Sequence, residues 1–336
     1  MHSGFVTILG RPNAGKSTLL NALVGEKLAI VTHKAQTTRN RITGIVNVKR
    51  QGRRPAAQIV LVDTPGVHKP EDQLNKRMMQ EVYDSLEGCD LILLIVDVQA
   101  KFGTGDEFVL EIVKRAQAKT FLLLNKIDLI EKTKLLAMIE EWSARYEFAQ
   151  IIPISAAKGK GTDELLSAVA ITLPEGPKYF PDEQITDQPE RFIVAELIRE
   201  QVLINAAEEV PYASGVKIEA YEEGKRLTRI SAAIFVEREG QKGILIGSQG
   251  SMLKRIGTGA RQQIERILGT KVYLELFVKV RAGWRDNAAA VEDAIDWHKQ
   301  LLDLAKPMDA KEESSKSRPR TAKKKKPQQN VPRKKK

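Results

Sequence analysis

The sequence predicts an α/β protein: a domain with a mainly parallel, doubly wound sheet, then a small α+β domain, then a basic tail without a core. Three observations predict it. Through residue 173, short continuous apolar runs alternate with longer amphipathic stretches. Pro174, Gly176, Pro177, Pro181 and Pro189 then punctuate a polar stretch that cannot be a regular helix. From Lys306 the composition collapses into Lys, Arg, Pro, Ser and Gln, which carries no core-forming pattern.

The apolar runs of the first part are Phe5–Leu9, Ile59–Val62, Leu91–Val96, Thr120–Leu124 and Ile151–Ile154. They are continuous rather than alternating, as strands buried on both faces should be. Helix-like segments such as Lys16–Val24 and Lys134–Tyr146 lie between them. Ile42–Lys49 suits an added antiparallel edge strand facing Gln58–Val62, with Gln51, Gly52 and Arg53 near the turn. The division is therefore 1–173 for the first domain and 174–190 for a linker. A second domain follows at 191–305 and a disordered basic tail at 306–336. In the second domain a helix is expected over Arg191–Ala206, with strands at Val216–Tyr221 and Thr228–Glu237. A glycine-rich turn then introduces a helix at Ser251–Leu268, followed by a strand at Lys271–Val280 and a last helix at Asn287–Leu304. The order is helix, strand, strand, helix, helix, strand, helix.

The 336 residues exceed one ordinary core, and 42% hydrophobic content excludes a wholly disordered chain. Lys and Arg number 54 against 43 Asp and Glu, a net +11 that points to a polyanionic partner, nucleic acid or an acidic membrane surface. Residues 306–336 hold 13 of the basic and 3 of the acidic residues, so the tail carries +10 and the body +1. The bulk charge thus describes an arm with sequence-independent, salt-sensitive attraction to RNA or anionic lipid. Cys89 is the only cysteine, which excludes an intramolecular disulfide and a cysteine-cluster metal site and suits a reducing cytosol. It reads as a packed thiol rather than a nucleophile. The longest apolar stretch, Leu91–Val96, is far short of the roughly 20 residues that span a bilayer. The chain starts Met1-His2-Ser3-Gly4 with no signal-peptide pattern, so a soluble cytoplasmic protein is expected. His2, His33, His68 and His298 form no metal-ligand pattern.

Gly10-Arg11-Pro12-Asn13-Ala14-Gly15-Lys16-Ser17 fits G-x-x-x-x-G-K-[ST] and lies between a predicted strand and a predicted helix. Gly10 and Gly15 let the backbone wrap a phosphate, and the helix N-terminus adds positive potential. Lys16 should reach the β- and γ-phosphates. The Ser17 hydroxyl should bind Mg²⁺, with Thr18 beside it in the nucleotide-binding set. Asp63-Thr64-Pro65-Gly66 ends another strand: Asp63 can hold the Mg²⁺ shell through water, and the Gly66 N–H can meet the γ-phosphate and report its loss. Asn125-Lys126-Ile127-Asp128 decides the base. Asp128 can accept from guanine's ring N–H and exocyclic amine, and adenine lacks that amine. Asn125 supports the loop, the Lys126 stem covers the ring, and Ser155-Ala156 closes over guanine with a backbone N–H.

This ordered series, each motif at a strand end, resembles the translation-factor-like branch of P-loop GTPases over residues 4–173. The resemblance implies GTP/GDP and Mg²⁺ as ligands, hydrolysis of GTP to GDP and phosphate, and a Mg²⁺-binding threonine in Gln36-Thr37-Thr38-Arg39, Thr38 first and Thr37 second. Small Ras-like GTPases carry a water-positioning Gln just after D-x-x-G; Val67 stands here, so that role is absent. The chain is then similar to hydrophobic-substituted GTPases, in which a phosphate-loop Asn helps hold K⁺. Asn13 matches that position, and a plain turn role for it is as well supported. The catalytic set is Lys16, Thr38, Gly66 and Asn13.

Ile246-Gly247-Ser248-Gln249-Gly250-Ser251-Met252-Leu253-Lys254-Arg255-Ile256 reads as I-G-x-x-G followed by an apolar and two basic residues. A G-x-x-G turn between helices brings backbone N–H groups to a phosphodiester, as KH domains do with about four nucleotides of single-stranded RNA. Residues 242–285 hold nine basic residues against Glu265 and Glu275. Two strands before the turn and one after it resemble the type II KH fold. Gly247, Ser248, Gln249, Gly250, Lys254 and Arg255 are the RNA-contact set, and Ile244, Ile246, Leu253 and Ile256 form either the floor of an apolar groove or simply the core, the core being the safer reading. A GTPase domain followed by a KH domain that carries the segment Phe277–Asp286 closely resembles the Era family of bacterial GTPases through about residue 303. That resemblance implies binding to the 3′ end of 16S rRNA on the pre-30S particle, a role in 30S assembly, some membrane association and no stable oligomer. A membrane-surface regulatory GTPase addressed by the tail is the alternative.

Overall fold

The computed structural model describes residues 1–34, 36–207 and 209–295. The expected tail, the end of the last expected helix and His298 lie outside the described residues. The first sheet has six strands: β1 (His2–Leu9), β2 (Ile42–Val48), β3 (Ala57–Asp63), β4 (Leu91–Asp97), β5 (Thr120–Asn125) and β6 (Gln150–Pro153). Their spatial order is β2-β3-β1-β4-β5-β6, parallel except for β2, which runs antiparallel to β3 from Ile42↔Asp63 to Val48↔Ala57. The Gln51–Arg54 bridge closes their turn.

The helices are α1 (Lys16–Val24), α2 (Gln73–Leu86), α3 (Thr104–Ala116), α4 (Lys132–Ser143) and α5 (Thr162–Thr172). Helix α4 begins two residues before the sequence expectation and ends three before it. Continuous apolar strands follow from cover on both faces: Leu91 to Ile95 of β4 are each at most 1% exposed. On one face Ile92, Leu94, Leu122 and Leu124 meet Met79 and Val82 of α2, Val109 and Val113 of α3 and Trp142 of α4. Helices α1 and α5 contact β1 to β3. Capping follows local chemistry: the Asp72 carboxylate accepts from the Asn75 N–H at the start of α2.

The polar stretch after α5 is an ordered strap without regular structure. Ile45 N–H donates to the Ile185 carbonyl (2.8 Å), Thr186 Oγ1 to Thr43 (2.6 Å) and Asn47 Nδ2 to Asp182 (3.1 Å). The buried Gln58 side chain accepts from the N–H groups of Tyr179 and Phe180. The strap therefore runs along the open edge of β2.

The second sheet, in order β7-β8-β9, comprises β7 (Gly215–Glu222), β8 (Leu227–Val236) and β9 (Lys271–Val280), antiparallel then parallel. With it lie α6 (Glu190–Asn205), α7 (Val210–Ala213), α8 (Glu239–Ile246), α9 (Ser251–Leu268) and α10 (Ala288–Ile295). The short α7 is an addition to the expected order. Leu74 and Met78 of α2 pack into one cluster with Ala233 and Phe235 of β8, Trp284, and Val291, Ala294 and Ile295 of α10. The two sheets are thereby joined through α2.

Candidate nucleotide site and nucleic-acid surface

The phosphate-loop motif joins β1 to α1, so its turn opens directly into a helix N-terminus. Gly15 has φ +104°, and a Cβ there would meet Asn125 Nδ2 at 2.2 Å. A Cβ on Gly10 would lie 2.4 Å from the Ile95 carbonyl oxygen. Lys16 is buried and donates to the carbonyls of Gly10 (3.1 Å) and Arg11 (2.9 Å). Burial pushes its pKa down to about 8, while Asp63 pulls it up. A nucleotide phosphate would give this ammonium the counter-charge it lacks.

Ser17 Oγ lies 2.7 Å from Asp63 Oδ2 and 2.8 Å from Thr38 Oγ1, and Thr38 Oγ1 lies 3.3 Å from Asp63 Oδ2. Burial pushes the Asp63 carboxyl up to about 6 against the opposing pull of Lys16, Ser17 and Thr38. Its Oδ1 is buried with no hydrogen-bond partner. Two hydroxyls and a carboxylate with an unused oxygen are a hard-oxygen donor set that fits Mg²⁺. A bound Mg²⁺ would neutralise phosphate charge there. Thr37, the second choice, instead lies 2.9 Å from Thr32 Oγ1 and donates to the Lys34 carbonyl.

Gly66 packs on Pro12 so closely that a Cβ would come within 2.8 Å of it. Val67 is 1% exposed and its N–H donates to Gly10, so the residue after D-x-x-G faces the interior. Asn13 adopts φ +62° and its Nδ2 donates to the His33 carbonyl (3.0 Å), which leaves Oδ1 for a cation.

At the base end, Asn125 Nδ2 donates to the Ala14 carbonyl (2.8 Å) and its Oδ1 accepts from the Ala156 N–H (2.9 Å). That N–H is thus engaged by Asn125 rather than standing free for a base. Lys126 Nζ bonds Asp97 Oδ2 at 2.7 Å. Asp128 is exposed, and the Ser155 hydroxyl holds its carboxyl below the usual range, with Lys158 and Lys160 adding to the effect. Thr18, next to Ser17, lies in the first turn of α1.

Sequence reasoning missed a junction between the two switch segments. Asn75 Oδ1 accepts from Gln36 Nε2 (3.0 Å) and faces His68 Nε2 (2.9 Å), while His68 Nδ1 faces the Gly66 carbonyl (2.8 Å). It also missed Arg39 and Arg199, both 2% exposed. The carbonyls they reach, Ser214 for Arg39 and Thr37 for Arg199, lie 160 or more residues away, so no local pattern marks those anchors.

In the second domain Gly247 has φ +70° and ψ 176°, Gln249 φ +51° and Gly250 φ +76°. The turn Ser248–Gly250 joins α8 to α9; the Ser251 N–H donates to the Ser248 carbonyl, and no side chain caps the helix, which leaves the N-terminal end of α9 as the place where a phosphate would bind. Lys254 and Arg255 are exposed one turn in. The basic patch is smaller than its composition implies. Arg261 pairs with Glu265, Lys279 with Glu219, Arg281 with Asp293 and Arg285 with Glu237. Among the described residues Lys254, Arg255 and Arg266 keep no carboxylate partner. Of the four apolar residues Ile256 is core, whereas Ile244 is 45% exposed and Ile246 and Leu253 are half-buried, as the groove-floor alternative requires, because the turn leaves the helix faces around it uncovered.

The family described as "50S ribosome-binding GTPase" matches residues 5–126 and the one described as "KH domain" matches 209–285. The chain is 48% identical over 293 residues to GTPase Era of Geobacter metallireducens, covering 87% of this chain and 96% of the relative. It is 49% identical over 292 residues to GTPase Era of Geobacter sp. strain M21, covering the same shares. Among solved structures it is similar to Era in complex with MgGDPNP and nucleotides 1506–1542 of 16S ribosomal RNA. The TM-score is 0.84 at 40% identity, over 88% of this chain and 98% of that one.

Proposed function

The chain belongs to the Era family of GTPases, takes GTP/GDP with Mg²⁺ and hydrolyses GTP, and on that premise we propose how its two parts act together. The second domain binds the 3′-end region of 16S rRNA on the pre-30S particle, and the first times that binding during 30S assembly by hydrolysing GTP. Domain limits of 1–173 and 191–305 serve this division. Lys16 neutralises phosphate charge, Ser17, Thr38 and Asp63 hold Mg²⁺, and Gly66 senses the γ-phosphate. Asn125, Lys126, Asp128 and Ser155 select guanine, and the Ala156 N–H joins them only by leaving Asn125 Oδ1 for the base. Gly247 to Gly250, with Lys254 and Arg255, grip the RNA backbone.

The observation that carries the RNA reading is the open G-x-x-G turn, whose adjoining cations Lys254 and Arg255 have no carboxylate partner among the described residues. Phosphate contacts there supply affinity, and bases splayed beside the turn supply selectivity. GTP orders the segments at Thr38 and Asp63–Val67, and differential contact with the γ-phosphate drives the switch.

Filter binding of GTP- and GDP-loaded protein to the 3′ segment of 16S rRNA, at several salt concentrations, tests this. Tighter binding in the GTP-loaded state is expected. Equal affinity in both would remove the switch while leaving the RNA binding. No helix among the described residues is long and apolar enough to cross a membrane. Peripheral contact through the +10 tail is read by liposome co-sedimentation with and without residues 306–336.

A further inference from the structure

The segment between α1 and β2, which carries Thr38, is stitched to the second domain along its length. Lys27 Nζ bonds Glu200 Oε2 at 2.6 Å, and the Val31 N–H donates to Glu200 Oε1 at 3.2 Å. Lys34 Nζ caps the end of α6, donating to the carbonyls of Leu203 and Ala206. Arg199 Nη2 donates to the Thr37 carbonyl. The Arg39 guanidinium donates to the carbonyls of Ser214 (2.6 Å) and Tyr212 (3.0 Å) at the end of α7. Thr38 therefore sits between two arginine anchors, both made with the second domain.

We propose that Arg199 is a positioning residue for GTP hydrolysis: from α6 it holds the Thr37 carbonyl and so sets the Thr38 hydroxyl toward Ser17 and Asp63. The Thr37 carbonyl belongs to the planar peptide that enters Thr38, so fixing that oxygen fixes the N–Cα bond of Thr38, and the Arg39 anchor on its other side limits the rotation that remains. Arg199 can hold it because it is itself held. Its Nε donates to Glu196 Oε1 at 2.8 Å and its Nη2 to Glu196 Oε2 at 2.6 Å, one turn back on α6. A guanidinium gripped by a carboxylate on its own helix is a rigid donor.

Stability alone does not account for this arrangement. Arg199 Nη1 is buried without a hydrogen-bond partner, and so is Arg39 Nε. Both guanidinium groups are buried, and each lies in the field of the other. Desolvated like charges with unused donors destabilise a fold, and an apolar pair of similar volume would not. Arg199 grips the backbone that enters Thr38, and Arg39, the residue that leaves it, is tied to the carbonyls of Ser214 and Tyr212, so both anchors flank one threonine, which gives the arrangement a catalytic rather than a packing rationale.

The inference rests on Thr38 as the threonine that reports GTP, and Thr38→Ala tests that reading separately. In the full-length chain, single-turnover GTP hydrolysis and GDP affinity are measured for Arg199→Gln, Arg199→Lys and Thr38→Ala. Arg199→Gln should slow hydrolysis about tenfold with GDP affinity unchanged, because GDP has no γ-phosphate to order Thr38. Arg199→Lys keeps one charged donor and should recover part of the rate. An unchanged rate in Arg199→Gln beside an impaired Thr38→Ala overturns the positioning role alone. An unimpaired Thr38→Ala overturns the threonine assignment beneath it. Parallel loss of GDP affinity and rate, or a lysine variant no faster than glutamine, reduces Arg199 to a structural residue. Should Arg199→Gln fail to fold, Arg199→Lys decides: a wild-type rate refutes the role, and a several-fold loss at unchanged GDP affinity supports it.

Discussion

Gly247→Ala isolates the RNA-binding turn from the nucleotide site. Gly247 combines φ +70° with ψ 176°, a region open in practice to glycine alone. An added Cβ would stand 2.8 Å from Met252 Cβ and 2.9 Å from the Met252 backbone nitrogen. Neither atom is the end of a flexible side chain, so the turn itself must shift. A residue forced into such a region costs about 1–3 kcal/mol. If the turn relieves that strain by leaving its RNA-competent shape, the RNA dissociation constant should rise about 5- to 150-fold. Filter binding against the 16S 3′ segment reads the loss. Hydrolysis without RNA should stay within about twofold of wild type, because the turn makes no contact with Lys16, Thr38 or Asp63. Lys254→Ala provides the contrast: it should lower the slope of log affinity against log salt by about 0.7, the value for one single-strand phosphate contact. Unchanged RNA affinity in Gly247→Ala would refute the assignment of this turn to the RNA. An equal fall in hydrolysis and binding would refute the separation of the two sites.

Other perturbations probe other layers. Trp284 is 1% exposed, donates through Nε1 to the Ala213 carbonyl (2.9 Å) and packs against Leu74 and Met78 of α2. Trp284→Ala should cost about 3–5 kcal/mol in urea denaturation, and a loss below about 1 kcal/mol would contradict the packing. Burial raises the Asp63 carboxyl from 3.8 to about 6, so between those values the native state holds the extra proton and nucleotide-free stability falls as pH rises. Asp63→Asn should therefore stabilise the nucleotide-free protein by about 3 kcal/mol at pH 7.5 and not at pH 4, while abolishing Mg²⁺-dependent hydrolysis. A pH-independent difference would contradict the burial argument. Asn13 Oδ1 is open to a cation, so hydrolysis should be faster in K⁺ than in Na⁺, and equal rates would remove the cation.

The nucleotide site was legible because its chemistry is local. Four short motifs each follow an apolar strand, and a parallel sheet brings strand ends to one edge without further information. The G-x-x-G turn was legible for the same reason: glycine marks backbone that L side chains avoid. The second-domain anchors were not legible. Arg39 reads as one more polar loop residue, and only the fold shows it buried against α7. Arg199 sits at helical spacing with Glu196 and reads as a solvated pair, yet α6 is covered by the segment it anchors. Composition also misled. The nine basic residues around the turn suggested a local patch with nearly all its charge unpaired, whereas Glu219, Glu237 and Asp293, outside that segment, neutralise part of it.

The strap over residues 174–190 bears on solubility as well as connection. An uncovered β2 would present a free ladder of N–H and C=O groups, a template for a strand of another molecule. The strap occupies that ladder at the Thr43 carbonyl and the Ile45 N–H, and holds the Asn47 side chain beside it, with irregular, proline-interrupted chain that cannot propagate a sheet. Loosening it, for instance by Thr186→Val, would expose the sheet to edge-to-edge association before either domain unfolded. The connection between the domains therefore also works as the guard of the first domain's open flank.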